Sequence, residues 1–191
     1  MNLKDKSSLR QQWKTNLIRY HSSFSLWNQE ICGHLLADSS FQKAETIALY
    51  YPRDWEVNLL PLWQKRPNHC AFPKTDPQSL EIDFYLVKSL SPSNFSKGMG
   101  NIPEPIPKIS RIVTDFKSTD LILVPGFVFD NKGGRIGSGK GVYDRFLAKE
   151  GKLAQKLGIA FSPQVVSESI PQEPHDITLN GLVTEKGFIY F

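Results

Sequence analysis

The chain has 191 residues, of which 40% are hydrophobic and 22% are charged, a composition that excludes a wholly disordered protein and predicts one domain spanning residues 1–191. Its longest apolar run, over 121–129, has about half of the ~18 residues that cross a bilayer. The first residues show no apolar core of a secretion signal. We therefore expect a cytoplasmic protein outside the membrane.

The formal net charge of +4 favours anionic partners only weakly, because the Lys and Arg residues are spread along the sequence. A small polyanionic substrate fits this balance as well as a nucleic acid does. Two cysteines, Cys32 and Cys70, and four scattered histidines exclude a disulfide framework and argue against a structural zinc site. We expect both thiols to be buried and reduced.

The first predicted element is an amphipathic helix over residues 4–20. Apolar side chains at helical spacing should face a core: Leu9, Trp13, Leu17 and Tyr20. An adjoining face carries three basic residues: Lys6, Arg10 and Lys14. From spacing alone, this face is most simply explained as a solvated surface.

The elements that follow alternate between helix and strand. A second helix over 25–37 should turn five residues inward: Leu26, Trp27, Ile31, Leu35 and Leu36. Strands are predicted over 46–51, 69–72, 80–87, 121–129 and 157–161, with one or two more in 181–191. Short helices are predicted over 57–66 and 140–150, and a long loop, rich in Pro, Gly and Ser, over 89–110. This alternation predicts an α/β fold, a single-domain three-layer sandwich with a mostly parallel central sheet, Rossmann-like.

The glycine-rich stretch over 130–145 follows the most apolar strand and opens a helix. Its glycines let backbone N–H groups approach a ligand, and Arg135 and Lys140 add positive charge, so the stretch suits phosphate. It departs from the Walker A pattern at Gly141, where a Ser or Thr would hold Mg²⁺. Asp144 is the obvious replacement ligand, and we expect it near solvent. The alternative is a tight turn with Asp144 and Arg145 as a surface ion pair.

Residues 121–148, LILVPGFVFDNKGGRIGSGKGVYDRFLA, resemble the signature of the 5-formyltetrahydrofolate cyclo-ligase family, also called 5,10-methenyltetrahydrofolate synthetases. The resemblance continues in order through the rest of the chain, at KSSLR (6–10), YYPRDWEV (50–57), AFPK (71–74), NIPEP (101–105), IPQEPHD (170–176) and VTE (183–185). The chain departs from the family pattern at Ser138, Val142 and Asn101, the last of which replaces a Gly.

The resemblance implies ATP-dependent closure of 5-formyltetrahydrofolate to 5,10-methenyltetrahydrofolate, with release of ADP and phosphate. It implies Lys140 and Arg135 as catalytic residues, and Asp144 and Asp176 as ligands of Mg²⁺. The implied ATP site comprises Lys6, Arg10, Arg135, Ile136, Gly137, Ser138, Gly139, Lys140, Gly141, Val142 and Tyr143. The implied folate site comprises Glu56, Tyr51, Ser138, Gly139, Lys140, Gly141, Val142 and Tyr143.

Purely structural explanations stay open for three of these residues: core packing for Tyr51, an exposed surface position for Glu56, and a turn or capping role for Asp176. The expected partners are ATP and 5-formyltetrahydrofolate, including forms with a lengthened glutamate tail. We expect a monomer that binds neither nucleic acid nor membrane. The alternatives are an inactive relative, another nucleotide-dependent enzyme such as a P-loop kinase or NTPase, and a basic nucleic-acid-binding module.

Overall fold

The computed structural model describes residues 6–191, without the side chains of Gln12, Lys14 and Ile18. The α-helices are α1 (Lys6–Leu17), α2 (Phe24–Ala37), α3 (Ser39–Lys43), α4 (Leu60–Lys65) and α5 (Val142–Ala148). The strands are β1 (Ile47–Ala48), β2 (Cys70–Thr75), β3 (Ile82–Leu86), β4 (Phe95–Lys97), β5 (Pro103–Pro105), β6 (Arg111–Val113), β7 (Leu121–Val124), β8 (Val128–Asp130), β9 (Arg135–Ile136), β10 (Gln155–Ile159), β11 (Val165–Val166), β12 (Gly181–Thr184) and β13 (Gly187–Tyr190).

The main sheet has the strand order β13-β12-β10-β7-β1-β2-β3-β6. Neighbouring strands from β12 to β2 run parallel, and β13, β3 and β6 are added antiparallel at the two flanks. Ile47 of β1 lies opposite Leu121 on one side and Cys70 on the other. The prediction of a mostly parallel central sheet is confirmed.

The two faces of the sheet are both apolar, because successive side chains of a strand point to opposite faces. Leu121 and Leu123 of β7 join a core with α2, α3 and α4, whereas Ile122 and Val124 join a second core with α5. Helices therefore cover both faces, and the predicted three-layer arrangement is confirmed. No helix within residues 6–191 combines the length and apolar character that would let it cross a bilayer.

The first predicted helix is shorter than expected. Residues 4 and 5 lie outside the described residues, and α1 ends at Leu17, after which the chain tightens into a 3₁₀ helix over Ile18–Ser23. Leu9 and Leu17 are buried as predicted, and Trp13 is half-buried, but Tyr20 is 39% exposed and its assignment to the core is wrong. The tighter 3₁₀ turn breaks the spacing on which that assignment rested.

The second helix begins at Phe24, one residue before the predicted start. Phe24 is buried and stacks on Phe161, with ring centroids 4.4 Å apart. Ile31 and Leu35 are buried and Trp27 and Leu36 pack partly against the same core. Leu26 is 57% exposed, so its inward assignment is wrong.

Two of the predicted strands and the predicted long loop also differ from the structure. The run over 121–129 is not one strand, because Pro125 lacks an N–H for the ladder, and the chain leaves the main sheet there to form β8 of a smaller sheet, β11-β8-β9. The predicted loop over 89–110 contains an antiparallel ribbon, β4 paired with β5. The predicted strand over 46–51 keeps only Ile47–Ala48 in the ladder.

The strand order predicts which end of the sheet carries a crevice. From β1 the chain continues to β2 on one side, and later returns to β7 on the other. In open parallel sheets, a reversal of this kind opens a crevice beyond the carboxyl ends of the strands. The segments after β1 and β7 therefore diverge and leave a space between them.

Candidate active site

A cleft of about 580 Å³ lies at that reversal. Every residue predicted for the site lines it: Lys6, Arg10, Tyr51, Glu56, Arg135, Ile136, Gly137, Ser138, Gly139, Lys140, Gly141, Val142, Tyr143, Asp144 and Asp176. They come from segments far apart in the sequence, and the fold brings them together around one space. Their individual roles remain predictions.

The glycine-rich loop between β9 and α5 depends on backbone conformations that favour glycine. Gly139 has φ +88° and Gly141 has φ +63°. A Cβ at Gly139 would also lie 3.1 Å from Cζ of Arg10, and one at Gly141 would lie 3.1 Å from Nη1 of Arg145. Side chains at these positions would strain the loop and press against two cations.

A buried carboxylate, Asp130, holds the base of this loop. Its Oδ1 accepts hydrogen bonds from the amides of Lys132 and Gly134, both at 2.8 Å, and its Oδ2 accepts one from the amide of Ile170 at 2.7 Å. Asp130 thus ties the loop to the segment that leads to Asp176. Sequence reasoning missed this role, although Asp130 lies within the motif quoted over 121–148.

Helix α1 delivers its two basic residues to the cleft because buried Leu9 fixes the helix against the body. Nζ of Lys6 donates to Oδ2 of Asp176 at 2.7 Å, and Nε of Arg10 donates to the carbonyl of Gly137 at 2.7 Å. Lys6 and Arg10 are therefore not a solvated face; the side chain of Lys14, the third predicted member, lies outside the description.

The carboxyl group of Asp176 has a lowered pKa. Burial acts to raise it, but the hydrogen bond from Lys6 and the amide of Glu173 outweigh burial. Asp176 is therefore held as a carboxylate at the edge of the cleft.

Arg135 and Asp144 form the most enclosed ion pair of the site. Nη2 of Arg135 lies 2.9 Å from Oδ1 of Asp144, and the Arg135 side chain is only 5% exposed. The amide of Ile177 donates to the same oxygen at 3.2 Å. Arg145 donates instead to the carbonyls of Leu80 and Lys140. The Asp144 side chain is 18% exposed and lines the cleft, so it stands near solvent as expected, but it also neutralises a buried arginine, which the sequence did not predict.

The wall of the cleft around Glu56, across from the glycine-rich loop, is buried and polar. Oε2 of Glu56 accepts from the amide of Arg53 at 2.9 Å, and burial raises the pKa of Glu56 above its usual value. Burial, with nearby Glu56, also raises the pKa of Tyr143. Within residues 6–191, neither the Tyr143 hydroxyl nor Nη1 of Arg135 has a hydrogen-bond partner. Two buried donors without partners in the protein are suited to a polar ligand.

Comparison with known proteins decides the family. The profile of the 5-formyltetrahydrofolate cyclo-ligase family matches residues 2–185. The chain belongs to this family. The resemblance read from the sequence is confirmed, and with it the enzyme class.

Relatives of known name agree with the cyclo-ligase assignment. The solved 5,10-methenyltetrahydrofolate synthetase of Aquifex aeolicus has a TM-score of 0.78 and 31% identity, covering 97% of this chain and 92% of that one. A probable 5-formyltetrahydrofolate cyclo-ligase of Caenorhabditis elegans is 27% identical over 97% of this chain and 95% of its own length. The match to the mitochondrial cyclo-ligase of Arabidopsis thaliana is 33% identical but covers only 47% of this chain and 38% of that protein.

The cyclo-ligase site has oxygen donors that suit Mg²⁺. Asp144 and Asp176 both line the cleft, and the hydrogen bonds of each converge on one carboxylate oxygen, Oδ1 of Asp144 and Oδ2 of Asp176. The second oxygen of each carboxylate is not used by those bonds. Glu173 and His175 also place ligand atoms within 4.8 Å of Asp176. The residues therefore fit the metal.

Several lining residues of the cyclo-ligase cleft were missed by sequence reasoning. Arg53 lies over the ring of Trp55, with Cζ 5.4 Å from the centroid. Met99, Gly100, Ile102 and Glu104 line the cleft from the ribbon. Their signal was the NIPEP segment over 101–105, which contributed to the resemblance but carried no assigned role.

Tyr51 both packs against other rings and reaches the cleft, so both of its alternatives stay open. Its ring packs near Phe72 and edge-on to Phe95, with centroids 6.5 and 5.6 Å away, and the residue also lines the cleft.

Proposed function

We propose that this chain is an ATP- and Mg²⁺-dependent 5-formyltetrahydrofolate cyclo-ligase that forms 5,10-methenyltetrahydrofolate and releases ADP and phosphate. One observation carries the proposal: a glycine-rich loop with Lys140 and a buried polar wall with Glu56 face the same cleft. The loop suits the triphosphate of ATP, and the polar wall suits the folate ring system. Family membership gives this pairing its chemistry.

The chemical difficulty is that a formamide oxygen is a poor leaving group. The formyl oxygen attacks the γ-phosphorus, and the bond to the bridging oxygen breaks with its electron pair leaving on ADP. N10 then attacks the activated formyl carbon and loses its proton to solvent. The carbon–oxygen bond breaks and inorganic phosphate departs, leaving the methenyl bridge. Phosphoryl transfer of this type depends mainly on positioning and charge neutralisation.

The cations of the cleft provide these two requirements. Lys140, at the exposed end of the loop, neutralises charge on the transferred phosphoryl group, and Arg135 acts beside it. Lys6 and Arg10 hold the nucleotide from α1, and the backbone over 136–143 cradles the phosphates. Mg²⁺, when bound, neutralises phosphate oxygens, and Asp144 and Asp176 are the residues that would hold it.

The folate lies against the wall around Glu56. Glu56 accepts hydrogen bonds from its polar groups, the Tyr143 hydroxyl donates to one, and the ring of Tyr51 lies alongside. Because these groups are largely withdrawn from water, each correct hydrogen bond discriminates strongly. The positive balance of the chain favours both ATP and a folate with a lengthened glutamate tail.

The proposal includes a single domain over residues 1–191 that acts as a cytoplasmic monomer without nucleic acid or membrane. The monomer is supported by the fact that one chain supplies every residue assigned to the site.

The decisive experiment follows the near-ultraviolet absorbance of methenyltetrahydrofolate, which the formyl compound lacks. Purified protein should produce this absorbance only when 5-formyltetrahydrofolate, ATP and Mg²⁺ are all present. ATP hydrolysis that is independent of folate would instead support a P-loop kinase or NTPase. A folded protein that binds both substrates without product formation would identify an inactive relative.

A further inference from the structure

The β4–β5 ribbon forms a wall of the cleft that the proposed roles do not use. The turn over 98–102 closes the ribbon, with the amide of Gly98 donating to the carbonyl of Ile102 at 2.8 Å. Asn101, which departs from the family's Gly, has φ +60°. Asn tolerates this left-handed conformation better than most residues do, so it can occupy this position of the turn.

Glu104 holds this turn from below. Its side chain is only 6% exposed, and its Oε2 lies 3.6 Å from Nζ of Lys74. Its Oε1 accepts a hydrogen bond from the amide of Met99 at 3.3 Å. A Cβ at Gly98 would lie 1.9 Å from Cδ of Glu104. The carboxyl group thus occupies the place that a side chain at Gly98 would take, and a buried carboxylate is tolerated only with such partners.

The turn held by Glu104 contacts both halves of the cleft. Nζ of Lys140 lies 3.4 Å from Sδ of Met99, on the side of the phosphate loop. On the other side, a Cβ at Gly100 would lie 2.6 Å from Nη2 of Arg53. The backbone amide of Arg53 itself donates a hydrogen bond to Glu56. A shift of the turn would therefore change the space beside Glu56.

We propose that Glu104 is a positioning residue for the folate: through Lys74 and the Met99 amide it fixes the 98–102 turn as the wall against which the folate binds. This inference rests on the proposed function. The phosphate loop has its own supports in Asp130 and Arg10. Loss of Glu104 should therefore weaken folate binding and leave ATP binding nearly unchanged.

The first test is Glu104→Ala. We expect the KM for 5-formyltetrahydrofolate to rise about 10-fold, the size expected for loss of a buried charged contact. The KM for ATP should stay within about 2-fold, and the Met99 amide should exchange its hydrogen faster. Glu104→Gln, which keeps an acceptor for that amide, should recover most of the folate affinity. Glu81→Ala removes an exposed ion pair with Lys149 and is the matched control, which should change neither KM.

A second variant keeps the test independent of the stability of Glu104→Ala. Gly98→Ala should displace the Glu104 carboxyl and raise the folate KM by itself. The double variant Gly98→Ala/Glu104→Ala should be no worse than Glu104→Ala, because the methyl group then has room and the two effects share one contact.

Equal rises in both KM values, or additive effects in the double variant, would overturn the positioning role. Failure of the proposed function would show separately, as a wild-type protein that forms no methenyl product. Unchanged exchange of the Met99 amide in Glu104→Ala would overturn the inference even then.

Discussion

The two walls of the cleft are built by different means. The conformation of the glycine-rich loop is set by nearby sequence, through glycines that adopt positive φ and Asp130, which bonds to amides two and four residues ahead. Arg10 and Ile170 then fix the position of the loop from distant parts of the chain. The ribbon instead depends on distant partners, since Glu104 reaches back to Lys74 and Gly100 abuts Arg53. The backbone shape of the wall assigned to phosphoryl transfer is thus encoded locally, whereas the wall assigned to folate selection takes its shape from contacts with distant segments.

The largest effect should come from the loop wall. Lys140→Ala should lower kcat by about 10²- to 10³-fold with little change in the KM for ATP, because a cation aimed at the moving phosphoryl group acts mainly in the transition state. Lys140 is exposed, so the melting temperature should not change. Steady-state kinetics measures kcat and the KM for ATP, and Lys132→Ala, at another exposed lysine, is the control. An unchanged kcat with a raised KM for ATP would make Lys140 a ground-state clamp.

Asp144→Ala should lower turnover by orders of magnitude and also destabilise the protein. It leaves Arg135 buried without its carboxylate, at a cost of about 2 kcal/mol or more. Thermal melts should then fall by roughly 4–8 °C. Asp144→Asn, which keeps an acceptor, should have a melting temperature between those of the wild type and Asp144→Ala. An unchanged melt in Asp144→Ala would show that the ion pair adds no stability.

The double variant Lys6→Ala/Arg10→Ala tests whether α1 belongs to the loop wall. It should bind ATP at least ~10-fold more weakly, or about 1.4 kcal/mol, and a cooperative circular dichroism melt should show that the variant is still folded. Titration calorimetry with ATP measures the loss, and exposed Arg19→Ala is the control for a simple change of charge. Wild-type affinity in the folded double variant would remove α1 from the nucleotide site.

Tyr143→Phe separates binding from stability on the folate side. The hydroxyl is buried without a partner in the described part of the chain, so its removal should leave the melting temperature unchanged or raise it. The KM for 5-formyltetrahydrofolate should nevertheless rise, by roughly 5- to 10-fold. A loss of stability would mean that the hydroxyl already serves the fold.

The smallest effect is a pH dependence at Glu56. Because burial raises its pKa in the folded protein, the folded state binds this proton more tightly than the unfolded state. Wild-type stability should therefore fall as pH rises from about 4.5, the ordinary value, through the raised pKa. Glu56→Gln does not titrate, so its melting temperature should gain on that of the wild type across this window. A constant difference from pH 4 to 8 would exclude the raised pKa.

The same contrast explains what could be predicted from the sequence. The alternation of elements predicts the parallel sheet, and the motif over 121–148 predicts the family and one wall of the cleft. The break at Pro125 was missed because an apolar run hides the point at which the chain changes sheets. Glu104 was missed because its partner Lys74 lies 30 positions away, and no local periodicity records such a contact.

The bond between Lys6 and Asp176 joins residues 170 positions apart. During synthesis, the helix that carries Lys6 is made well before the segment that carries Asp176. The end of the cleft where α1 meets Asp176 therefore cannot assemble before Asp176 has been made, however well the glycine-rich loop has folded. Under the proposed roles of Lys6 and Asp176, the protein would gain its capacity to bind ATP only after most strands of the main sheet have been translated.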